Sequence, residues 1–274
     1  MKRQKIGLVL SGGGAKGAYE IGVYKALTEL GVTDSIQAIA GTSVGALNTL
    51  LLECVGVEKA ERVWRDFRQV DLLYPSFQQL LNRRLPMFSG LSVAAEILEN
   101  GMPVSQQRLS ELVDQNIQMS NIHRDLYAVA YNTDKQQSEA FHLNQFPQEY
   151  IKQIVLASAN IPFVYDGLIG MKIGQYSYID GGCPKYGTKS NTPISTLYQI
   201  GIRKMIVVYL DTEEKLDPIV KNAYADYIDT EIVRIIPRKP MGRLATLNTK
   251  NILEHLVNGY ADAMELKKEL KKLM

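Results

Sequence analysis

Two glycine-rich turns within the first fifty residues constrain this chain more than any other feature. Ile6-Gly7-Leu8-Val9-Leu10 is an apolar run that stops on Ser11-Gly12-Gly13-Gly14, the pattern of a buried parallel strand ending in a tight loop. Ala18, Gly22, Ala26 and Leu30 then recur every fourth residue, with Ile21 beside them, and mark one helical face that Gly31 terminates. Ile36 to Ala40 reads as a second buried strand, Gly41-Thr42-Ser43-Val44-Gly45 follows at once, and Ala46 to Glu53 is helical again. Strand, helix, strand, helix is a right-handed crossover with parallel strands, so the fold class is α/β.

The loops that follow neighbouring parallel strands leave from the same sheet edge, which brings the Gly12–Gly14 amides beside Ser43. G-x-S-x-G on a strand-to-helix turn is a nucleophile elbow. The bend crowds the residues two before and two after the serine, so Gly41 and Gly45 are the fitting choices. Backbone N–H groups without side chains, at the start of a helix, form an anion site. Beside a serine nucleophile that anion is the oxyanion of a tetrahedral intermediate. Lys16 adds a nearby positive charge.

Other readings of the first loop fail on particular residues. Gly12 to Gly17 formally matches G-x-G-x-x-G, yet a dinucleotide site needs an acidic residue closing the second strand, and Ala40-Gly41-Thr42-Ser43 stands there. A phosphate loop of the Walker A kind needs Gly-Lys-Ser/Thr, whereas Lys16 is followed by Gly17 and Ala18.

Farther along, helices are expected at Val57–Gln69, Val93–Glu99, Gln106–Asn116 and Gln148–Ala157, and a last one from Lys250 to Lys272. Strands are expected at Leu126–Tyr131, Glu139–Leu143, Tyr176–Ile179, Lys204–Leu210 and Ile232–Ile236. Trp64 and Phe67 read as core or helix-face residues and Cys183 as a small packed side chain. Asp180-Gly181-Gly182 closes the strand at Tyr176–Ile179, and a carboxylate just past a strand's C-terminal end suits a catalytic loop on the shared edge.

In that order, G-G-G-x-K/R-G, G-x-S-x-G and D-G-G/A, the chain resembles the patatin-like phospholipases. Ala157-Ser158-Ala159-Asn160-Ile161-Pro162 is similar to the family's A-S-x-x-x-P segment. Asn191-Thr192-Pro193 and Gly259-Tyr260-Ala261-Asp262-Ala263 match further motifs. The resemblance spans nearly the whole chain and is weakest between residues 57 and 125. It implies one domain over residues 1–274, a three-layer α/β/α sandwich around a central, mainly parallel sheet. It also implies a Ser43–Asp180 dyad in which the aspartate takes the serine proton with no histidine between them. Gly12, Gly13 and Gly14 would form the oxyanion hole, supported by Lys16, Gly17, Gly41, Gly45, Gly181 and Gly182, acting on a lipid ester through an acyl-enzyme. No metal or other cofactor is expected. A free aspartate with a pKa of ~3.9 is a weak base at neutral pH, so burial must raise it.

Of the three histidines, His123, His142 and His255, only His255 follows the aspartate as an ordinary triad would require, and it falls inside the last helix. An acyltransferase or thioesterase acting on acyl-CoA-type substrates is the alternative class. Malonyl-type transferases carry a histidine just before the serine, where this chain has Thr42.

Composition narrows the partners. Thirty-one Lys and Arg against 29 Asp and Glu give a net charge of +2, which argues against a dedicated nucleic-acid binder. With 46% hydrophobic residues the chain is not disordered. Cys54 and Cys183 are too few for a disulfide framework. The apolar run after Lys5 is shorter than the ~7–15 residues of a secretory signal and no span of ~20 exists, so a soluble, cytoplasmic protein is expected. Peripheral membrane contact is open. Arg83-Arg84 adjoin Met87-Phe88, a candidate lid or interfacial loop; Arg238-Lys239 adjoin Met241; and Lys267, Lys268, Lys271 and Lys272 cluster near the C-terminus. For that last cluster, favourable interaction with a helix C-terminus is the simpler account. Sequence sets no oligomeric state.

Overall fold

The computed structural model describes residues 5–66, 106–117, 122–160, 170–183, 188–242 and 249–274. The helix expected at Val93–Glu99, the Arg83–Phe88 loop, Phe67 and the Ile161-Pro162 pair lie outside the described residues.

One sheet runs through the molecule. Strand β1 (Ile6–Leu10) pairs in parallel with β2 (Ile36–Thr42) on one side and with β7 (Lys204–Val208) on the other. Strand β2 pairs in parallel with β3 (Asp125–Asn132), and β7 with β8 (Glu231–Ile235). Two strands run against this set, β4 (Gln137–His142) and β6 (Tyr176–Asp180), both antiparallel to β3, and β5 (Met171–Ile173) pairs antiparallel to β6 and so runs with the parallel strands again. The expected parallel crossover and mainly parallel sheet are therefore present. At three residues, β5 is too short to leave a periodic signal.

The alternation along β1 shows the three layers. Ile6, Leu8 and Leu10 enter the larger core. It is filled by α1 (Ala18–Glu29), α2 (Val44–Asp66), α3 (Gln106–Asn116), α4 (Gln148–Ser158) and α7 (Thr249–Glu265). Val9 faces the other way, into a smaller core with Ala38, Ala40, Met205 and Val207. There α5 (Ile194–Gln199) supplies Ile194 and Leu197, and α6 (Pro218–Asn222) supplies Val220. Gly7 shares that face because Leu197 is already there: a methyl group on Gly7 would lie 2.6 Å from Leu197 Cδ1.

One helix departs from the expected bounds. The segments expected at Ala46–Glu53 and Val57–Gln69 are both helical, as the two halves of α2 (Val44–Asp66), which Gly56 separates by a non-helical kink (φ 74°). The last helix is two, α7 and α8 (Lys267–Leu273), separated at Leu266. Helix α8 buries Leu270 and Leu273 and turns Lys267, Lys268, Lys271 and Lys272 outward, so its apolar side is used by the core. Among the described residues no helix is long and apolar enough to cross a membrane.

The seam between α1 and α7 explains the Gly259-Tyr260-Ala261-Asp262-Ala263 motif. A methyl group on Gly22 would meet the Leu256 carbonyl oxygen at 2.0 Å, and one on Gly259 would meet that of Tyr19 at 2.1 Å, so each glycine admits the other helix's backbone. Asp262 then accepts from the Tyr19 hydroxyl (2.9 Å) and from Arg238 Nε (2.5 Å). This seam fixes α1, and with it the glycine loop at the start of α1.

Candidate active site

Ser43 occupies the turn between β2 and α2 with φ 58°, in the left-handed region that a non-glycine residue enters only when its surroundings enforce it. The enforcement is steric. A methyl group on Gly41 would lie 2.2 Å from the Gly45 carbonyl oxygen, and one on Gly45 would lie 2.4 Å from that of Leu10. Backbone thus passes where side chains would be, and the elbow closes against the end of β1.

Asp180 reaches the same point from the opposite direction. Strand β4 occupies one edge of β3 along Tyr127–Asn132, so both β2 and β6 lie on the other edge. Thr42 pairs there with Val129, and Asp180 pairs with the next residue, Ala130. The parallel strand and the antiparallel strand meet head-on, and Ser43 and Asp180 stand at the junction. Gly181 makes room for it: a methyl group there would meet the Val129 carbonyl oxygen at 2.5 Å and Thr42 Cγ2 at 3.1 Å.

Both side chains are covered, at 4% exposure each. Burial pushes the Asp180 carboxyl up to about 6, and the Ser43 hydroxyl and the Gly182 N–H partly offset that rise by hydrogen bonding to it. Gly182 N–H donates to Asp180 Oδ1 at 2.7 Å, while the buried Oδ2 has no partner in well-aligned geometry. The Ser43 hydroxyl is close enough to the carboxyl to act on its pKa, and hydrogen bonds at such sites are often long or poorly aligned before a substrate binds.

The glycine loop lies alongside. A methyl group on Gly12 would fall 3.2 Å from Ser43 Cβ, which places the two loops in contact. Gly12 N–H is itself committed to the Asn191 carbonyl (2.9 Å), so Gly12 shapes the loop and does not offer its own donor. Among the described residues no acceptor takes the N–H of Gly13 or of Gly14, which opens a short 3-10 turn, Gly14–Gly17. Gly13 is pressed against Leu210, and Gly17 against Val44 and Trp64. Lys16 turns away to an ion pair with the partly exposed Asp211 (2.7 Å), so its charge braces the loop against the segment that follows β7. Asn48 on α2 donates to the Gly17 carbonyl (2.9 Å) and to Glu20 Oε2 (2.7 Å) and accepts from Trp64 Nε1 (2.9 Å), which ties the elbow helix to the loop.

A third segment, Ser190–Thr192, joins all three motifs, a role that its sequence alone does not reveal. The Ser190 carbonyl accepts from Thr42 Oγ1 (2.6 Å), and Ser190 Oγ donates to the Gly181 carbonyl (2.6 Å). Asn191 Nδ2 donates to the Gly12 carbonyl (3.3 Å), and Thr192 Oγ1 shares a hydrogen bond with Ser11 Oγ (2.9 Å). Methyl groups on Gly12 and Gly182 would lie 2.3 and 2.0 Å from Asn191 Oδ1, so both glycines admit this amide. The Asn191-Thr192-Pro193 motif was the available signal.

None of the three histidines bonds to Ser43 or Asp180. His142 stacks on Tyr127 and meets Asp125 at 3.1 Å, the His123 backbone N–H bonds Glu53, and His255 is buried against the Met241 carbonyl (3.1 Å). Burial holds the His255 imidazole below its usual pKa.

A doubly covered, mainly parallel sheet with a serine elbow at its C-terminal edge defines an α/β protein of the nucleophile-elbow class. Comparison with known proteins places it more narrowly. The model of the family described as patatin-like phospholipase matches residues 8–198, and the chain belongs to that family. It is 26% identical over 219 residues to neuropathy target esterase sws of Drosophila melanogaster, covering 77% of this chain and 13% of that protein. Over 48 residues it is 52% identical to lysophospholipase nte1 of Aspergillus terreus, covering 18% of this chain and 3% of the other. The chain thus spans a small fraction of the length of these curated relatives. In fold it is similar to VipD from Legionella pneumophila (TM-score 0.54, 17% identity, covering 98% of this chain and 67% of that one). A human GIVD cytosolic phospholipase A2 in complex with methyl gamma-linolenyl fluorophosphonate is also similar (TM-score 0.55, 10% identity, covering 99% and 59%).

Proposed function

We propose that this protein hydrolyses the carboxylic ester bonds of lipids through a Ser43–Asp180 dyad and an acyl-enzyme intermediate. The observation that carries the reading is the head-on meeting of β2 and β6 on one edge of β3, which sets a buried serine hydroxyl against a buried carboxylate.

Each step follows from the groups at the junction. Ser43 Oγ attacks the ester carbonyl carbon while its proton passes to Asp180, whose raised pKa makes it a better base than an exposed aspartate. Negative charge gathers on the former carbonyl oxygen, and the N–H groups of Gly13 and Gly14, which have no acceptor among the described residues, are the donors assigned to it. Collapse of the intermediate breaks the ester C–O bond, and Asp180 returns the proton to the departing alcohol. Water then attacks the acyl-serine with Asp180 again taking the proton, and the fatty acid leaves as Ser43 recovers its hydrogen.

The test is hydrolysis of a panel of phospholipids, lysophospholipids and neutral esters, with released fatty acids identified by mass. Wild-type protein is expected to release fatty acid from at least one lipid class, and Ser43→Ala from none. Equal release by the two proteins would refute the reading.

A further inference from the structure

We propose that Ser158 is a positioning residue for Ser43, an inference that rests on the dyad reading above. Ser158 is the last residue of α4 and fully buried at 0% exposure. Its hydroxyl touches two backbone groups and no solvent. Ser158 Oγ lies 2.6 Å from the Val129 carbonyl oxygen and 2.9 Å from Ser43 N. A carbonyl only accepts, so the one hydroxyl proton goes to Val129, and an oxygen lone pair takes the Ser43 N–H.

Both partners belong to the junction that brings the dyad together. Val129 is the β3 residue opposite Thr42, and its carbonyl is the atom that Gly181 must be a glycine to approach. Two residues beyond Ser158, the Asn160 carbonyl accepts the Asp180 N–H at 2.9 Å. The C-terminus of α4 thus holds the main-chain N–H of both dyad residues.

The Ser43 N–H needs this partner because of the elbow. At φ 58° the peptide has left the β2 ladder, so its donor points into the protein. Without the Ser158 oxygen, that donor is buried and unpaired, and the turn gains by rotating toward another acceptor. Rotation about Ser43 moves Oγ relative to Asp180, and a displacement of about 1 Å in a reacting group costs up to ~100-fold in rate. The role is in the chemical step, because Ser158, behind the elbow, makes no surface that a lipid could touch.

Four proteins test this: wild type, Ser158→Ala, and the isosteric pair Ser158→Thr and Ser158→Val. The Thr and Val side chains have the same bulk but only one carries the hydroxyl. The readouts are kcat and KM on p-nitrophenyl butyrate, the rate of fluorophosphonate capture at Ser43, and the melting temperature. Ala and Val are expected to lose about tenfold or more in kcat and in capture rate with KM within about twofold. Thr is expected to recover most of the loss, while Thr and Val melt within a few degrees of each other. If the added methyl unfolds both Thr and Val, the comparison of Ala with wild type decides. Capture by Ala at the wild-type rate, or equal rates for Thr and Val, would overturn the proposal. So would unfolding of Ala, which makes the hydroxyl a fold requirement. If wild type is neither captured at Ser43 nor active, the dyad reading itself has failed, an outcome distinct from the others.

Discussion

Ser43 and Asp180 face each other across the junction of two strands that arrive from opposite directions on one edge of β3. Sequence separates them by more than a hundred residues, and β3 supplies the common rail: Thr42 is registered on Val129 and Asp180 on Ala130. The junction brings together the two residues of the proposed dyad, with no histidine bonded to either. It also buries a carboxylate, and the consequences of that burial can be measured.

If Asp180 is the base, hydrolysis is expected to depend on pH through it. The carboxyl is pushed up to about 6 by burial and must be ionised to act as base. The expected profile of kcat/KM rises about tenfold per pH unit below roughly pH 6 and levels off above it. A profile flat from pH 4.5 to 8 would contradict this role.

Stability should depend on the same group in the opposite sense from an ion-paired aspartate. The folded-state pKa lies above the ordinary value of 3.8, so between about pH 4 and 6 the folded state binds the proton first. Asp180 therefore lowers stability at neutral pH, on the order of 3 kcal/mol, and that penalty is relieved as pH falls through this window. Asp180→Asn is expected to melt above wild type at pH 7 and to lose the advantage near pH 4. Thermal melts of both proteins at the two pH values check it.

Gly41→Ala probes the elbow separately from the chemistry. Its methyl group would meet backbone, the Gly45 carbonyl, at 2.2 Å and has no flexible side chain to displace. Overpacking of this kind costs about 1–3 kcal/mol. The melting temperature is expected to fall by several degrees, with loss of Ser43 capture by fluorophosphonate. Wild-type capture would show that the turn tolerates the change.

Replacing His123, His142 and His255 together by glutamine tests whether a histidine completes the site. None bonds to either dyad residue. The triple variant is expected to keep hydrolysis within about tenfold of wild type, since loss of a general base typically costs 10²–10⁴-fold. A loss in that larger range in a protein that still melts cooperatively would return a histidine to the mechanism.

Much of this was legible in sequence because it is local. The apolar run at Ile6–Leu10, the face of Ala18, Gly22 and Ala26, and the two glycine turns are written in consecutive residues, and the crossover rule alone puts Gly12 beside Ser43. What was not legible is long-range pairing. Nothing in Tyr176–Asp180 says that it runs antiparallel to β3 on the edge that β2 has just left. The ladders of Ser158, Ser190 and Asn191 are hydrogen bonds to residues far away in the chain, so their motifs were visible and their roles were not. One further difference is a local conflict: Leu266 breaks what periodicity alone continues into one helix.

In the proposed mechanism Ser43 attacks with Asp180 as its base. It is tested most directly by fluorophosphonate capture of wild type and Asp180→Asn, with the adduct located by peptide mass mapping and its rate of formation measured. A single adduct on Ser43 is expected in wild type, formed about 10²–10⁴-fold more slowly in folded Asp180→Asn. An adduct on another residue, or capture of Asp180→Asn at the wild-type rate, would contradict it.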